Sequence, residues 1–347
     1  MIRYERAYWD DVDIALQSAP NIRKIYGSSI LITGATGMIC SSVVDLLIYM
    51  NRYYNAGIRI LLAGRDRLRM KRRFSALLEE ADYVFVPYDA TQNLELNVDA
   101  DYIVHGAGNA NPIAYVKQPV ETVLANILGL NDLLSMAVRN HSKRVLYISS
   151  SEVYGNKTVD RPYQEEDYGY IDILNQRSSY PNAKRAAETL CIAYGQEHGL
   201  DTVIVRPGHI YGPTITDSDF RASAQFTRNA ARGENIVMKS AGLQLRSYCY
   251  TLDCASAILT VLAEGKSGCA YNISNRDSVM TISDMAHALA KAAGTKVVYE
   301  RPSELEASGY NMMSNSSLNS EKLEALGWRA AFGLESGAEK TLAFYSL

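Results

Sequence analysis

"SSILITGATGMIC", residues 28–40, sets the architecture. Its first half, "SSILIT", is a short apolar run with β-branched residues, the composition of a buried strand. Its second half, "TGATGMIC", places Gly34 and Gly37 where the strand gives way to the helical spacing of "CSSVVDLLIYMNRYY" (40–54). Glycines at a strand-to-helix turn let backbone approach a ligand, and the free N–H groups of a helix start favour phosphate. Two glycines alone are weak evidence, because many turns need them for geometry. The segments that follow give them weight.

Apolar runs and helical patterns alternate from there. "IRILLA" (58–63) precedes the basic "GRDRLRMKRRF" (64–74), and "YVFVPYD" (83–89) and "DYIVHGAG" (101–108) are a third and fourth strand. The amphipathic "VETVLANILGLNDLLSMAVRN" (120–140) leads to a fifth strand, "KRVLYISS" (143–150). The helix "SYPNAKRAAETLCIAYGQEHG" (179–199) leads to a sixth, "DTVIVRP" (201–207). This alternation predicts an α/β fold with a doubly wound parallel sheet, whose ligands bind beyond the carboxyl ends of the strands. Residues 1–27 read as a helical extension and 28–207 as the nucleotide-binding domain. Residues 208–347, with "IVMKS" (236–240) and "GCAYNIS" (268–274) among helices, read as a smaller α/β substrate lobe, some of whose segments could return to the first domain.

Composition excludes several classes. The 347 residues carry a formal charge of −3, with 47% hydrophobic and 21% charged residues, so no nucleic-acid or membrane surface is expected. The basic run at 64–74 is local and reads by default as a solvated helix face. Five scattered cysteines without CxxC spacing argue against disulfides and a metal site and fit a reducing, cytoplasmic setting. The N-terminus is too charged for a signal peptide.

The glycine loop suits a dinucleotide. The candidate contacts are Gly34, Thr36, Gly37, Met38 and Ile39 in the loop, Asp89 and Ala90 after strand three, Gly106, Ala107 and Gly108 after strand four, and Pro207 ending strand six. A third glycine would fall at 40, where Cys40 stands. Strand two ends in Ala63 and Gly64, where NAD-binding folds place an acid, and Arg65 follows. An arginine there accommodates a 2′-phosphate, so NADP is favoured over NAD. The plainer alternative makes Arg65 a solvated cap, with Asp66 serving the ribose.

"YPNAK" puts Tyr180 and Lys184 four apart on one helix face. A tyrosine is a poor base at neutral pH; half-ionising it at pH 7 requires lowering its pKa by about 3, roughly 4 kcal/mol. A neighbouring ammonium and an oxidised nicotinamide could supply that. "SSSEVYG" (149–155) then accounts for its hydroxyls, since one at the end of a central fifth strand can share the substrate oxygen that Tyr180 deprotonates.

With these motifs in order, the chain resembles the extended short-chain dehydrogenase/reductases, the NAD(P)-dependent epimerase/dehydratase family acting on nucleotide sugars. "TGATGMI", "SSSEVYG", "YPNAK", "RPGHIYGP" (206–213), "LRSYCYTLDCASAI" (245–258) and "YNIS" (271–274) carry the likeness over roughly residues 28–330. The resemblance implies a Rossmann-like fold, Ser150 as the catalytic hydroxyl, Tyr180 as base and Lys184 as ribose-binding partner. It implies Arg246 on the substrate diphosphate and a homodimer through the helices at 120–139 and 183–194. His209 replaces the family's asparagine at a substrate contact. Glu152 leans toward dehydratase or decarboxylase chemistry, or else orients the sugar. Ser151 stands where thymidine-type 4,6-dehydratases carry an aspartic acid. Tyr211 is a weaker site candidate, and His105 is expected to pack rather than react.

The resulting expectation is an internal-redox enzyme on a nucleotide-diphosphate sugar, an epimerase, dehydratase or decarboxylase that oxidises the sugar at C4. The alternative is an NADPH-dependent reductase of a nucleotide-linked keto-sugar, which Arg65 supports. A cofactor-binding module without turnover would not need Ser150, Tyr180 and Lys184 together.

Overall fold

The computed structural model describes residues 2–75, 82–93, 95–108, 110, 112–156, 160–302 and 313–345. Seven strands form one parallel sheet. They are β1 (Ser29–Thr33), β2 (Arg59–Gly64), β3 (Tyr83–Pro87), β4 (Tyr102–His105), β5 (Arg144–Ile148), β6 (Thr202–Pro207) and, much later in the chain, β10 (Cys269–Ile273). Their order is β10-β6-β5-β4-β1-β2-β3, so β4 holds the middle and β5 lies beside it. The winding reverses between β1 and β4, which leaves a crevice at their carboxyl ends.

The sheet is covered on both faces, which is why its strands read as continuous apolar runs. In β1 the side chains alternate between two cores. Ile30 and Ile32 pack with α2 (Met38–Tyr53) and α8 (Thr251–Glu264), whereas Leu31 faces α5 (Pro119–Arg139) and α6 (Ser179–His198). The short α3 (Arg67–Phe74) and α4 (Pro112–Lys117) flank the crevice.

The second lobe holds β7 (His209–Tyr211), β9 (Leu245–Tyr250), β11 (Val279–Thr281) and β13 (Asn315–Ser316) in one small sheet. β8 (Ile236–Met238) and β12 (Val297–Tyr299) form another, beside α7 (Ala222–Ala231) and α9 (Ile282–Ala293). "GCAYNIS" does not stay with this lobe. Its strand β10 pairs with β6 over Cys269–Ile273 and completes the large sheet. A single cut after residue 207 therefore separates strands that are hydrogen-bonded to one another.

The N-terminal helix α1 (Arg6–Gln17) packs on α2 and α8 and is pinned by a buried acid. Asp45, on α2 with no exposed surface, accepts from Tyr8 Oη at 2.7 Å and Tyr4 Oη at 3.0 Å and pairs with Arg73 at 3.2 Å. Such a group is costly to strip of a partner. We expect Asp45→Ala to lower the unfolding free energy by about 3–5 kcal/mol in denaturant titrations. An unchanged midpoint would show that α1 is only loosely attached.

Candidate active site

The crevice between β1 and β4 is a cleft of about 770 Å³. Gly34 turns out of β1 with φ +68°, and a Cβ there would lie 2.7 Å from Gly106 O and 2.9 Å from Ala107 N. Only glycine meets both demands. Thr33 joins the same two loops, because its Oγ1 accepts from Gly106 N (3.2 Å) and Ala107 N (3.1 Å). The one hydroxyl proton of Thr33 is left for His105 Nδ1, 2.7 Å away. Burial holds His105 at a pKa of about 3, so the ring is neutral and carries its proton on Nε2. It stacks 5.7 Å from Tyr147 and serves packing.

Gly37 is the N-cap of α2 and has no side chain to satisfy the first turn. The amides of Met38 and Ile39 therefore lack intrahelical acceptors and can serve a phosphate. Cys40 is accommodated in place of a third glycine because the residue facing its sulfur is Gly106, which has no side chain of its own. This loop fits a dinucleotide pyrophosphate. At the far end, Asp66 caps α3 by accepting from Arg69 N at 2.9 Å. The Arg65 side chain is 64% exposed, with Nη1 3.9 Å from Glu121. Burial raises the Asp89 carboxyl, but bonds from Thr91 N (3.0 Å) and Oγ1 (2.8 Å), with Arg65 nearby, leave it below its ordinary range.

The other end holds the reactive hydroxyls. Ser150 closes β5 and caps the short turn Ser151–Tyr154, its Oγ accepting from Glu152 N at 3.2 Å. Tyr180 enters from the first turn of α6, where the Ser150 and Tyr115 hydroxyls approach its own. Burial dominates and pushes the Tyr180 hydroxyl up to about 12, although both neighbouring hydroxyls and Arg221 pull it down. The Tyr115 ring stacks on Tyr180 with centroids 4.3 Å apart. Lys184 donates to Ile148 O at 2.8 Å and lies 4.5 Å above the Tyr147 ring, and burial lowers its amine to about 7.

Beside these lie guanidinium groups that the sequence did not flag. Arg177, three residues before Tyr180, donates from Nη2 to Glu152 Oε1 at 3.0 Å. Its Nε is buried without a partner among the described residues. Arg221 reaches across from the second lobe, held by Asp219 at 2.6 Å, and touches Met38 Sδ at 2.9 Å. Arg177 could have been found as a cation one helical turn before the base. Arg221 and Tyr115 had no local signal.

Every sequence-predicted site residue lines the cleft except Arg246 and the weaker candidate Tyr211. Arg246 is 2% exposed, and its Nη1 donates to Leu245 O (2.8 Å) and Met313 O (2.9 Å). Two backbone carbonyls thus occupy Nη1 of Arg246, and Glu152 and Arg177 of the cleft region lie within electrostatic reach of the group. His209 does line the cleft. Burial, with Arg246 and Arg221 nearby, keeps it neutral at a pKa of about 3, and its Nδ1 has no partner among the described residues. Tyr211 points elsewhere, its hydroxyl 3.3 Å from Gly333 O. Among the described residues no side-chain cluster could hold a metal ion, and no helix is long and apolar enough to cross a membrane.

A parallel sheet wound from a glycine loop, with Ser150, Tyr180 and Lys184 at its carboxyl edge, defines a nucleotide-dependent enzyme of the short-chain dehydrogenase type. The NAD dependent epimerase/dehydratase family matches residues 30–274, and the chain belongs to that family. It is 32% identical to UDP-glucuronic acid decarboxylase 6 of Arabidopsis thaliana over 246 residues, 71% of this chain and 69% of that one. It is 28% identical to UDP-glucuronic acid decarboxylase 1 of Xenopus tropicalis over 318 residues, covering 91% and 72%. In fold it resembles a UDP-glucose 4-epimerase from Thermotoga maritima solved with UDP-glucose (TM-score 0.76, 23% identity, 91% and 97% covered). A dTDP-glucose 4,6-dehydratase from Streptomyces venezuelae solved with NAD is equally similar (TM-score 0.76, 23% identity, 91% and 96% covered).

The buried amine of Lys184 carries a stability signature. An amine ordinarily near 10.5 that titrates near 7 when folded penalises folding in full below pH 7, and the penalty fades as pH rises to 10.5. Without nucleotide, Lys184→Met should be more stable than wild type at pH 7, and the gap should narrow by about 2 kcal/mol by pH 9. Denaturant midpoints at the two pH values measure this, and a constant gap would refute it.

Proposed function

We propose that the protein oxidises a nucleotide-linked uronic acid at C4 and that the sugar then loses its carboxyl group. The observation that carries this reading is that Glu152, whose carboxylate Arg177 holds, and Arg221 both line the cleft and act on the Tyr180 hydroxyl. Arg221 lines the cleft, and a guanidinium there is suited to a substrate carboxylate. The names of the relatives at 28–32% identity point the same way.

Tyr180 takes the C4 hydroxyl proton, with Ser150 hydrogen-bonded to the same oxygen. A dinucleotide held by the glycine loop and Lys184 would supply the hydride acceptor for C4 and, in its oxidised form, a positive charge in the cleft. That charge is needed because burial alone holds Tyr180 far above neutral. Lys184 binds ribose and holds the tyrosine's surroundings in place. The C4 ketone is β to the carboxylate, so carbon dioxide leaves as the C5–C6 electron pair moves toward the C4 oxygen. Tyr180 and Ser150 hydrogen-bond that oxygen as it gains charge. A proton then returns to C5, and the product is a nucleotide-linked pentose.

Arg65 favours NADP over NAD, and it also supports a second reading, net reduction of a keto-sugar by exchangeable NADPH. Exposed Val120, Val123 and Leu124 on α5 favour a homodimer through α5 and α6. Five free cysteines favour a reducing, cytoplasmic setting.

Incubating the purified protein with UDP-glucuronate and no added dinucleotide tests the proposal. We expect carbon dioxide and a UDP-pentose in equal amounts, with Tyr180→Phe slower by roughly 10²–10⁴-fold. Epimerisation of UDP-hexoses with UDP-glucuronate untouched would sink the uronic acid, and stoichiometric NADPH consumption would favour the reductase.

A further inference from the structure

We infer that Arg185 is a positioning residue, one that fixes Ser150 and Glu152 against Tyr180 without itself lining the cleft. This rests on the roles given to those three side chains under the proposed function.

Lys184 and Arg185 are consecutive on α6, the helix that presents Tyr180 in its first turn. Successive helical residues point about 100° apart, so the two cations leave α6 in different directions. Both nevertheless reach the chain that runs out of β5. Lys184 Nζ donates to Ile148 O at 2.8 Å. Arg185 Nε donates to Val153 O at 2.6 Å, and its Nη2 to Tyr154 O at 3.4 Å. Ser150 and Glu152 thus stand between backbone carbonyls that one helix holds on either side of them.

The same guanidinium ties in a second segment. Arg185 Nη2 also donates to Gly169 O at 2.8 Å. Gly169 N in turn donates to Tyr154 O at 2.7 Å, and Asn156 N to Tyr170 O at 2.9 Å. The two segments lie so close that a Cβ at Gly169 would collide with Asn156 O. A few residues on, this second segment presents Arg177, which holds Glu152 at 3.0 Å. Arg185 therefore fastens the carriers of both members of the Glu152–Arg177 pair. Three carbonyls in two segments suit a guanidinium fork, whereas a lysine offers a single point charge. The neighbouring Arg206 does not duplicate this, because it is committed to Glu188 (2.9 and 2.6 Å), the Tyr154 hydroxyl (3.0 Å) and Glu165 O (2.7 Å).

Arg185→Met keeps an apolar stem and removes the donors, and two measurements read the result. In hydrogen exchange of the protein without substrate, we expect faster exchange at the amides of Gly155, Asn156 and Gly169, with protection of the large sheet unchanged. With UDP-glucuronate, we expect kcat to fall by roughly 10²-fold and KM to stay within about twofold. Arg185→Lys should fall between the Met variant and wild type in kcat. Unchanged exchange at those amides would overturn the proposal. So would a Lys variant no better than the Met variant, or a loss of kcat, KM and dinucleotide affinity together with the melting temperature, the pattern of a merely structural residue. If wild type leaves UDP-glucuronate untouched while exchange rises at those amides alone, the substrate assignment fails and the brace stands.

Discussion

The active-site cleft depends on the backbone at residue 34 passing within a hydrogen atom's reach of the backbone at residue 106. A Cβ at position 34 would stand 2.7 Å from a carbonyl oxygen, and the left-handed φ would strain any other residue. Thr33 binds the same contact from below through two backbone amides. Because the loops after β1 and β4 are closed on each other, the start of α2 is aimed along the crevice and its free amides face a ligand. Cys40 in the third-glycine position is tolerated for the same reason, since Gly106 leaves room for its sulfur. One close backbone approach thus fixes the loop at which the proposed dinucleotide's phosphates would sit.

At the other end of the cleft, burial works against ionisation. It raises Tyr180 to about 12 and lowers Lys184 to about 7, so each group is held toward its neutral form. A positive charge beside Tyr180 would favour its ionised form, whereas the same charge would hold Lys184 neutral. Glu152 lines the cleft with its carboxylate held by Arg177, and Arg221 adds a cation from the second lobe.

Much of this was legible in the sequence, for a physical reason. Strand-to-helix punctuation, the glycine loop and the Tyr180–Lys184 spacing are local, and local chemistry leaves local patterns. Ser150 was legible because polar groups at the end of an apolar strand need a purpose. What was missed depends on long-range folding. Tyr115 and Arg221 reach Tyr180 from α4 and from the second lobe, and nothing near them in sequence says so. Strand β10 rejoins the large sheet more than sixty residues after β6. Arg246 sits in a familiar motif, and its Nη1 donates to the Leu245 and Met313 carbonyls, a geometry that a motif cannot report.

The central claim is that hydride leaves and returns within one turnover, so the dinucleotide should remain bound in the cleft. Denaturing the freshly purified protein and identifying the released nucleotide by mass, with its stoichiometry, tests this most directly. The account predicts a near-equimolar dinucleotide, retained through purification. A site that is empty after purification, and that takes up NADPH and gives back NADP once per turnover, would contradict it.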